Sequence, residues 1–91
     1  MNKSELVDAI SQRSGITKAD ASRVLEAFTE AVTEALMADD QVVLTGFGSF
    51  STGERAARTG RDPRTGKPIQ IKAARVAKFK VGKLLKEAVQ R

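Results

Sequence analysis

The chain has 91 residues, with 16 Lys and Arg against 11 Asp and Glu, for a formal charge of +5. One domain is expected at this length, and its stability margin is thin, because a globule of this size buries only about 60–65% of the surface its unfolded chain exposes. Cys and His are both absent, which excludes disulfides, thiolate nucleophiles and thiolate metal sites, and removes the commonest general base. No metal or cofactor is expected, and most enzyme classes recede, although Asp, Glu or Lys chemistry remains open. No apolar run approaches the roughly 20 residues of a bilayer span. Met1-Asn2-Lys3-Ser4-Glu5 lacks the apolar core of a signal peptide. A soluble, intracellular protein with no membrane partner is the expectation.

Asn2 followed by Glu5 reads as a helix N-cap with its capping-box partner. Leu6, Ala9, Ile10 and Arg13 then recur at helical spacing until Ser14-Gly15 stops the run. Thr17 with Asp20 signals a second cap. Ala21, Val24, Leu25, Phe28, Ala31, Val32, Ala35 and Leu36 carry a three-and-four spacing for about five turns, opposite Arg23, Glu26, Glu30 and Glu34. Asp39-Asp40 reads as a turn. Val42-Val43-Leu44-Thr45 predicts a short strand, Gly46-Phe47-Gly48 a tight turn, and Ser49-Phe50-Ser51-Thr52 the start of a second strand with Phe50 inward.

Between 53 and 75 the only apolar side chains besides Ala are Ile69 and Ile71, apart from the ring of Pro63 and Pro68. Arg61-Asp62-Pro63-Arg64-Thr65-Gly66 has the chemistry of a chain reversal, so this stretch predicts a hairpin without a core face, mobile until something holds it. Val76, Phe79, Val81, Leu84, Leu85, Ala88 and Val89 restore apolar character, with Gly82 preceding a short last helix. The order is two helices, three strands, one helix.

The net charge conceals a division. Residues 1–50 hold four basic and eight acidic groups, a balance of −4, whereas residues 51–91 hold twelve basic and three acidic groups, a balance of +9. Such asymmetry points to a polyanion. Arg55, Arg58, Arg61, Arg64 and Lys67 are spaced by three, and Lys72, Arg75, Lys78, Lys80, Lys83 and Lys86 continue the series. Odd spacing along a strand puts successive groups on opposite faces, suited to gripping both walls of a groove. Arg binds phosphate bidentately and enters the minor groove. Pro63, between arginines at the proposed tip, has two readings: fixing the turn, its commoner use, or serving as a rigid apolar wedge that unstacks base pairs. A helix-turn-helix reading around Ser14-Gly15 is disfavoured, because residues 17–38 carry Lys18 and Arg23 against Asp20, Glu26, Glu30 and Glu34. Phe28, Phe47, Phe50 and Phe79 lie outside the basic ribbon, so a core cluster is favoured over base stacking.

Met1-Asn2-Lys3-Ser4-Glu5-Leu6, Gly46-Phe47-Gly48-Ser49-Phe50, the run Arg55 to Lys67 and Phe79-Lys80-Val81-Gly82-Lys83-Leu84-Leu85-Lys86 resemble the bacterial HU family of histone-like, DNA-bending proteins. The resemblance covers essentially the whole chain. It implies an α+β fold: an intertwined dimer with two N-terminal helices, a three-stranded antiparallel sheet extended into a β-ribbon arm, and a short C-terminal helix. It also implies a single domain over 1–91, with a helical dimerisation base at 1–40, a sheet at 41–81 carrying a flexible arm at about 53–75, and the last helix at 82–91.

By the same resemblance, Arg55, Arg58, Arg61, Pro63, Arg64, Lys67, Lys72 and Arg75 belong to the DNA-binding arm, with Pro63 intercalating. Lys3, Lys80, Lys83 and Lys86 flank it on phosphates, and Phe28, Phe47, Phe50 and Phe79 form the dimer core. The implied partner is double-stranded DNA, preferably bent, nicked or flexible. The implied assembly is a homodimer, with a heterodimer with a paralogue possible, and the implied location is the nucleoid. Three positions depart from the family's habit: Asp62 stands where Asn is usual, Ala77 where Pro is frequent, and Arg75 where a small polar residue is common. The integration host factor branch, sequence-selective and heterodimeric, is the nearest alternative. Thr45 and the lack of an extended tail after Arg91 favour HU-like, weakly selective binding. A basic RNA-binding module and a module for an acidic protein partner are the other classes.

Overall fold

The computed structural model describes residues 1–90; Arg91, the end of the expected last segment, lies outside the described residues. The chain divides into two compact units, residues 1–35 and 36–91.

In the first unit, helix α1 spans Lys3–Ser14. The Asn2 side chain accepts the Glu5 backbone N–H at 2.9 Å, satisfying one of the donors a helix start leaves open. At the other end Gly15 takes the left-handed conformation, φ 80°, and its N–H donates to Ser11 O. Helix α2, Lys18–Met37, starts the same way, with the Asp20 N–H donating to Thr17 Oγ1 at 3.1 Å. Ion pairs Lys18–Asp8 and Lys3–Glu26, at 3.4 and 3.8 Å, join the two helices on their exposed surfaces. Ala21 and Val32, three turns apart on α2, are buried.

The second unit begins with the end of α2. Strands β1 (Val42–Leu44), β2 (Gly48–Arg55) and β5 (Ala74–Val81) form an antiparallel sheet in the order β1-β2-β5. Strands β3 (Arg58–Arg61) and β4 (Pro68–Ile71) pair separately. The three-stranded antiparallel sheet expected is present, and the pairing shows how it extends into the ribbon arm. The β2–β5 ladder runs from Gly48↔Val81 to Arg55↔Ala74, and β3–β4 resumes at Arg58↔Ile71 in the same register. One long hairpin is interrupted for two residues on each side, at Ala56-Ala57 and Lys72-Ala73, and continues as an arm.

The β1–β2 connection is a tight turn in which Gly46 has φ 87° and the Phe47 N–H donates to Leu44 O at 2.9 Å. Phe47 O in turn accepts the Gly82 N–H and Gly46 O accepts the Leu85 N–H, at 2.8 and 3.1 Å. These two bonds seat helix α3, Lys83–Val89, against the turn. Phe79 lies across β2, its ring 4.9 Å from that of Phe50 and 5.7 Å from that of Phe47, both tilted. Gly48, between the strands, is buried, and a Cβ there would meet Lys80 O at 2.6 Å. The backbone approach at this point requires glycine.

Few apolar side chains are hidden. Ala21 and Val32 are the buried apolar residues among those described, while Phe28, Phe47, Phe79 and Leu84 remain 40%, 48%, 44% and 66% exposed. Among the described residues, no helix is long and apolar enough to cross a membrane.

Candidate nucleic-acid interface

The strand register decides what each cation can do. Residues directly opposite each other in an antiparallel pair share a face, and neighbours along a strand alternate. Phe50, Thr52 and Glu54 of β2 therefore share one face with Phe79, Ala77 and Arg75 of β5. Ser49, Ser51, Gly53 and Arg55 share the other with Lys80, Lys78, Val76 and Ala74. Lys78 lies across Gly53, where an added Cβ would meet its Cδ at 2.9 Å. Lys78 and Lys80 thus lie on the sheet face opposite the Phe50–Phe79 pair. Lys78 belongs to the basic series, although the resemblance does not single it out.

In the arm the same alternation separates the arginines. Arg58 shares its face with Ile71, and Arg61 shares the opposite one with Pro68. The odd spacing of the basic series has this outcome within β3. Arg55, Arg58, Arg61, Lys67 and Lys72 are all exposed, and no ion pair holds them among the described residues. Lys80, Lys83 and Lys86 are likewise exposed, with no ion pair among the described residues. Lys83 and Lys86 ride on α3, which the Gly46-Phe47 turn holds in place. Lys3 is engaged by Glu26, so a phosphate there would compete with a long surface pair, an interaction of small worth.

The arm's tip is organised by Asp62. Its N–H donates to Lys67 O and its carbonyl accepts the Gly66 N–H, at 2.8 and 2.7 Å. Its Oδ1 accepts the Arg64 N–H at 2.8 Å, closing a small ring around Pro63. Gly66 supplies the left-handed residue, φ 71°. Pro63 is exposed at the turn with no backbone N–H to satisfy, and both candidate roles, turn and wedge, are compatible with that position. Asp62 also lies 3.9 Å from Arg64 Nε, partly offsetting one arm cation.

Arg75 differs from the other cations of the series. Its Nη2 donates to Leu36 O at 2.7 Å and to Asp39 Oδ1 at 3.0 Å. The same Asp39 oxygen accepts the Thr52 hydroxyl at 2.7 Å. The Thr52 bond first, and then the Arg75 charge, hold the Asp39 carboxyl below its usual range. Charge spacing alone could not reveal this cluster. The available signal was Asp39 itself, an acid placed just after a helix with no basic residue in its last turn.

Of the aromatic set, Phe47, Phe50 and Phe79 come together in the second unit, and Phe28 lies on α2 in the first. Among the described residues no three of His, Cys, Asp and Glu form a group able to hold a metal ion.

Comparison with known proteins gives a consistent result. The family model described as bacterial DNA-binding protein matches residues 1–90. The DNA-binding protein HU-beta of Pseudomonas aeruginosa is 62% identical over 89 residues, covering 98% of this chain and 99% of its own. The HU-beta of Escherichia coli K12 is 55% identical over the same span, again covering 98% and 99%. Among solved structures, an Anabaena HU–DNA cocrystal structure superposes with a TM-score of 0.94 at 48% identity, covering 98% of this chain and 97% of that one. HU from Thermotoga maritima superposes at 0.70 with 33% identity, covering 99% and 100%. With its whole described length matched by the family and its α+β fold shared with HU structures, the chain belongs to the bacterial DNA-binding protein family, in its HU branch.

Proposed function

We propose that this chain is a non-enzymatic architectural protein that binds duplex DNA with little sequence selectivity, bends it, and compacts the bacterial chromosome in the nucleoid. One observation carries the reading: an in-register β-ribbon that projects unpaired cations on opposite faces and ends in an exposed proline. The relatives named DNA-binding protein HU, and the neighbour crystallised with DNA, support it. Arg55, Arg58, Arg61, Arg64, Lys67 and Lys72 take the arm's phosphate and minor-groove contacts. Lys3, Lys80, Lys83 and Lys86 take flanking phosphates. Pro63 enters between base pairs, so that unstacking is offset by the extra contacts a bent duplex allows. Preference then follows deformability, and nicked or flexible sites bind best.

Two chains act together in this reading, the helical segment 1–40 serving as the dimer base and Phe28, Phe47, Phe50 and Phe79 as its core. The exposure of Phe28, Phe47, Phe79 and Leu84 in a single chain supports it, since so little apolar surface is hidden without a partner.

The test uses a nicked duplex with dyes at its two ends. Binding weakens steeply with salt, log K falling by about 0.9 per neutralised phosphate for each log unit of salt. Pro63→Ala lowers the energy transfer between the ends far more than it lowers affinity. An unchanged bend in Pro63→Ala would remove the wedge, and salt-independent binding would remove the interface as a whole.

A further inference from the structure

We propose that Arg75 is a positioning residue, which fastens the root of the β-arm to the end of α2, and that it does not serve as a phosphate ligand. The inference rests on the DNA-bending reading above, but it has a readout that needs no DNA.

The register places Arg75 on the face of Phe79 and Thr52, opposite that of Lys78 and Lys80. There its guanidinium meets the end of α2. Leu36 O is one of the last carbonyls of the helix, which intrahelical bonds leave short of donors. It receives the Asp39 N–H at 3.1 Å and the Arg75 Nη2 at 2.7 Å. No basic side chain from the helix's own last turn is available for this task. A cation from β5 supplies what the helix lacks.

Asp39 completes the connection. It is the one non-glycine residue with positive φ, 62°, among those described, a conformation that Asp tolerates better than most residues but that still needs support. Its Oδ1 accepts from Thr52 on β2 and from Arg75 on β5. A single carboxylate oxygen therefore links the helix end with both strands of the hairpin. Arg75 pairs with Glu54, one pair inside the last bonded pair Arg55↔Ala74. Beyond that pair the ladder lapses and the arm begins.

The location makes a weak cluster consequential. Arg75 and Asp39 side chains are 46% and 74% exposed, so the pair adds little to global stability. The arm is a lever, however. From Ala56 to Pro63 an extended strand covers about 25 Å at roughly 3.3 Å per residue, so a few degrees of rotation at the root move the tip by about 2 Å. Such a shift is enough to misplace a side chain that must meet one base step.

The experiment compares Arg75→Gln, Asp39→Ala, Thr52→Val and the Arg75→Gln/Asp39→Ala double variant with the unaltered protein. In the free proteins, amide hydrogen exchange rises several-fold at Asp39 and at Thr52 to Arg55 in each variant. On the dye-labelled nicked duplex, each single variant loses a similar share of bending, and the double variant loses no more than the larger single loss. The salt slope of Arg75→Gln stays that of the unaltered protein. A slope flattened by about one phosphate's worth in Arg75→Gln, with normal bending in Asp39→Ala and Thr52→Val, would make Arg75 a phosphate ligand and overturn the proposal. Unchanged exchange at the arm root in all variants would overturn it irrespective of DNA. Raised exchange in a protein that neither binds nor bends DNA would uphold the latch and refute the DNA reading instead.

Discussion

The carboxylate of Asp62 accepts the backbone N–H of Arg64 at 2.8 Å, across Pro63. This bond adds to the two backbone bonds that Asp62 makes at the arm's tip, and the residue that makes it also brings negative charge beside the proposed wedge. Its structural and electrostatic contributions are opposed and can be separated. Asp62→Asn keeps an oxygen to accept the Arg64 N–H but removes the charge. A unit charge a few ångströms from a phosphate in water is worth about 1 kcal/mol or less. Affinity for nicked duplex is therefore expected to rise about two- to fivefold at low salt, with the gain fading as salt screens it. Asp62→Ala removes both the charge and the side-chain bond to the Arg64 N–H, and is expected to bend DNA less than Asp62→Asn does. Equal affinity for Asp62→Asn and the unaltered protein at low salt would place this carboxylate out of reach of DNA.

The Phe79 ring, between those of Phe50 and Phe47, is 44% exposed in a single chain. If a second copy covers it, folding and association are one equilibrium. The thermal midpoint is then expected to rise with protein concentration, as mass action requires. Phe79→Ala is expected to cost about 3 kcal/mol or more, the range for removing a buried aromatic. It should also move sedimentation at micromolar concentration from dimer towards monomer. A monomer at that concentration for the unaltered chain, with a midpoint independent of concentration, would refute the dimer.

The elements are legible in the sequence because their signals are local. Asn2 with Glu5, Thr17 with Asp20 and Gly15 mark helix ends through bonds spanning three or four residues. The glycines around Phe47 mark the turn, and the phenylalanines mark the apolar face. The arm is legible from what it lacks, a stretch with only Ile69 and Ile71 to bury. The allegiance of Arg75 is not legible. It depends on which residues of β5 fall opposite β2, and a register between strands separated by the whole arm is a long-range property. Read by charge alone, Arg75 is one more member of a basic series. Its register puts it beside Asp39 on the face of Phe79. The two-residue lapse of the ladder at Ala56-Ala57 is hidden for the same reason, since nothing in those alanines distinguishes paired from unpaired backbone.

Asp39 offers a test of the latch by acid titration. Its carboxyl is held below the usual range, chiefly by the Thr52 hydroxyl bond and then by the Arg75 charge. The unfolded chain lacks both, so the folded protein binds this proton less readily than the unfolded one does. The resulting stabilisation is present above the usual carboxylate range and is lost as pH falls through the lowered value. Carboxyl-carbon NMR titration of the folded protein is expected to find Asp39 titrating low. Thr52→Val is expected to raise its midpoint by removing the hydroxyl bond. Arg75→Gln is expected to raise it as well, by removing both a charge and a hydrogen bond. Stability should follow, with the Thr52→Val and Arg75→Gln variants both less sensitive than the unaltered protein to acid in that window. An Asp39 midpoint that neither substitution moves would mean that the bonds to Thr52 and Arg75 do not persist in solution.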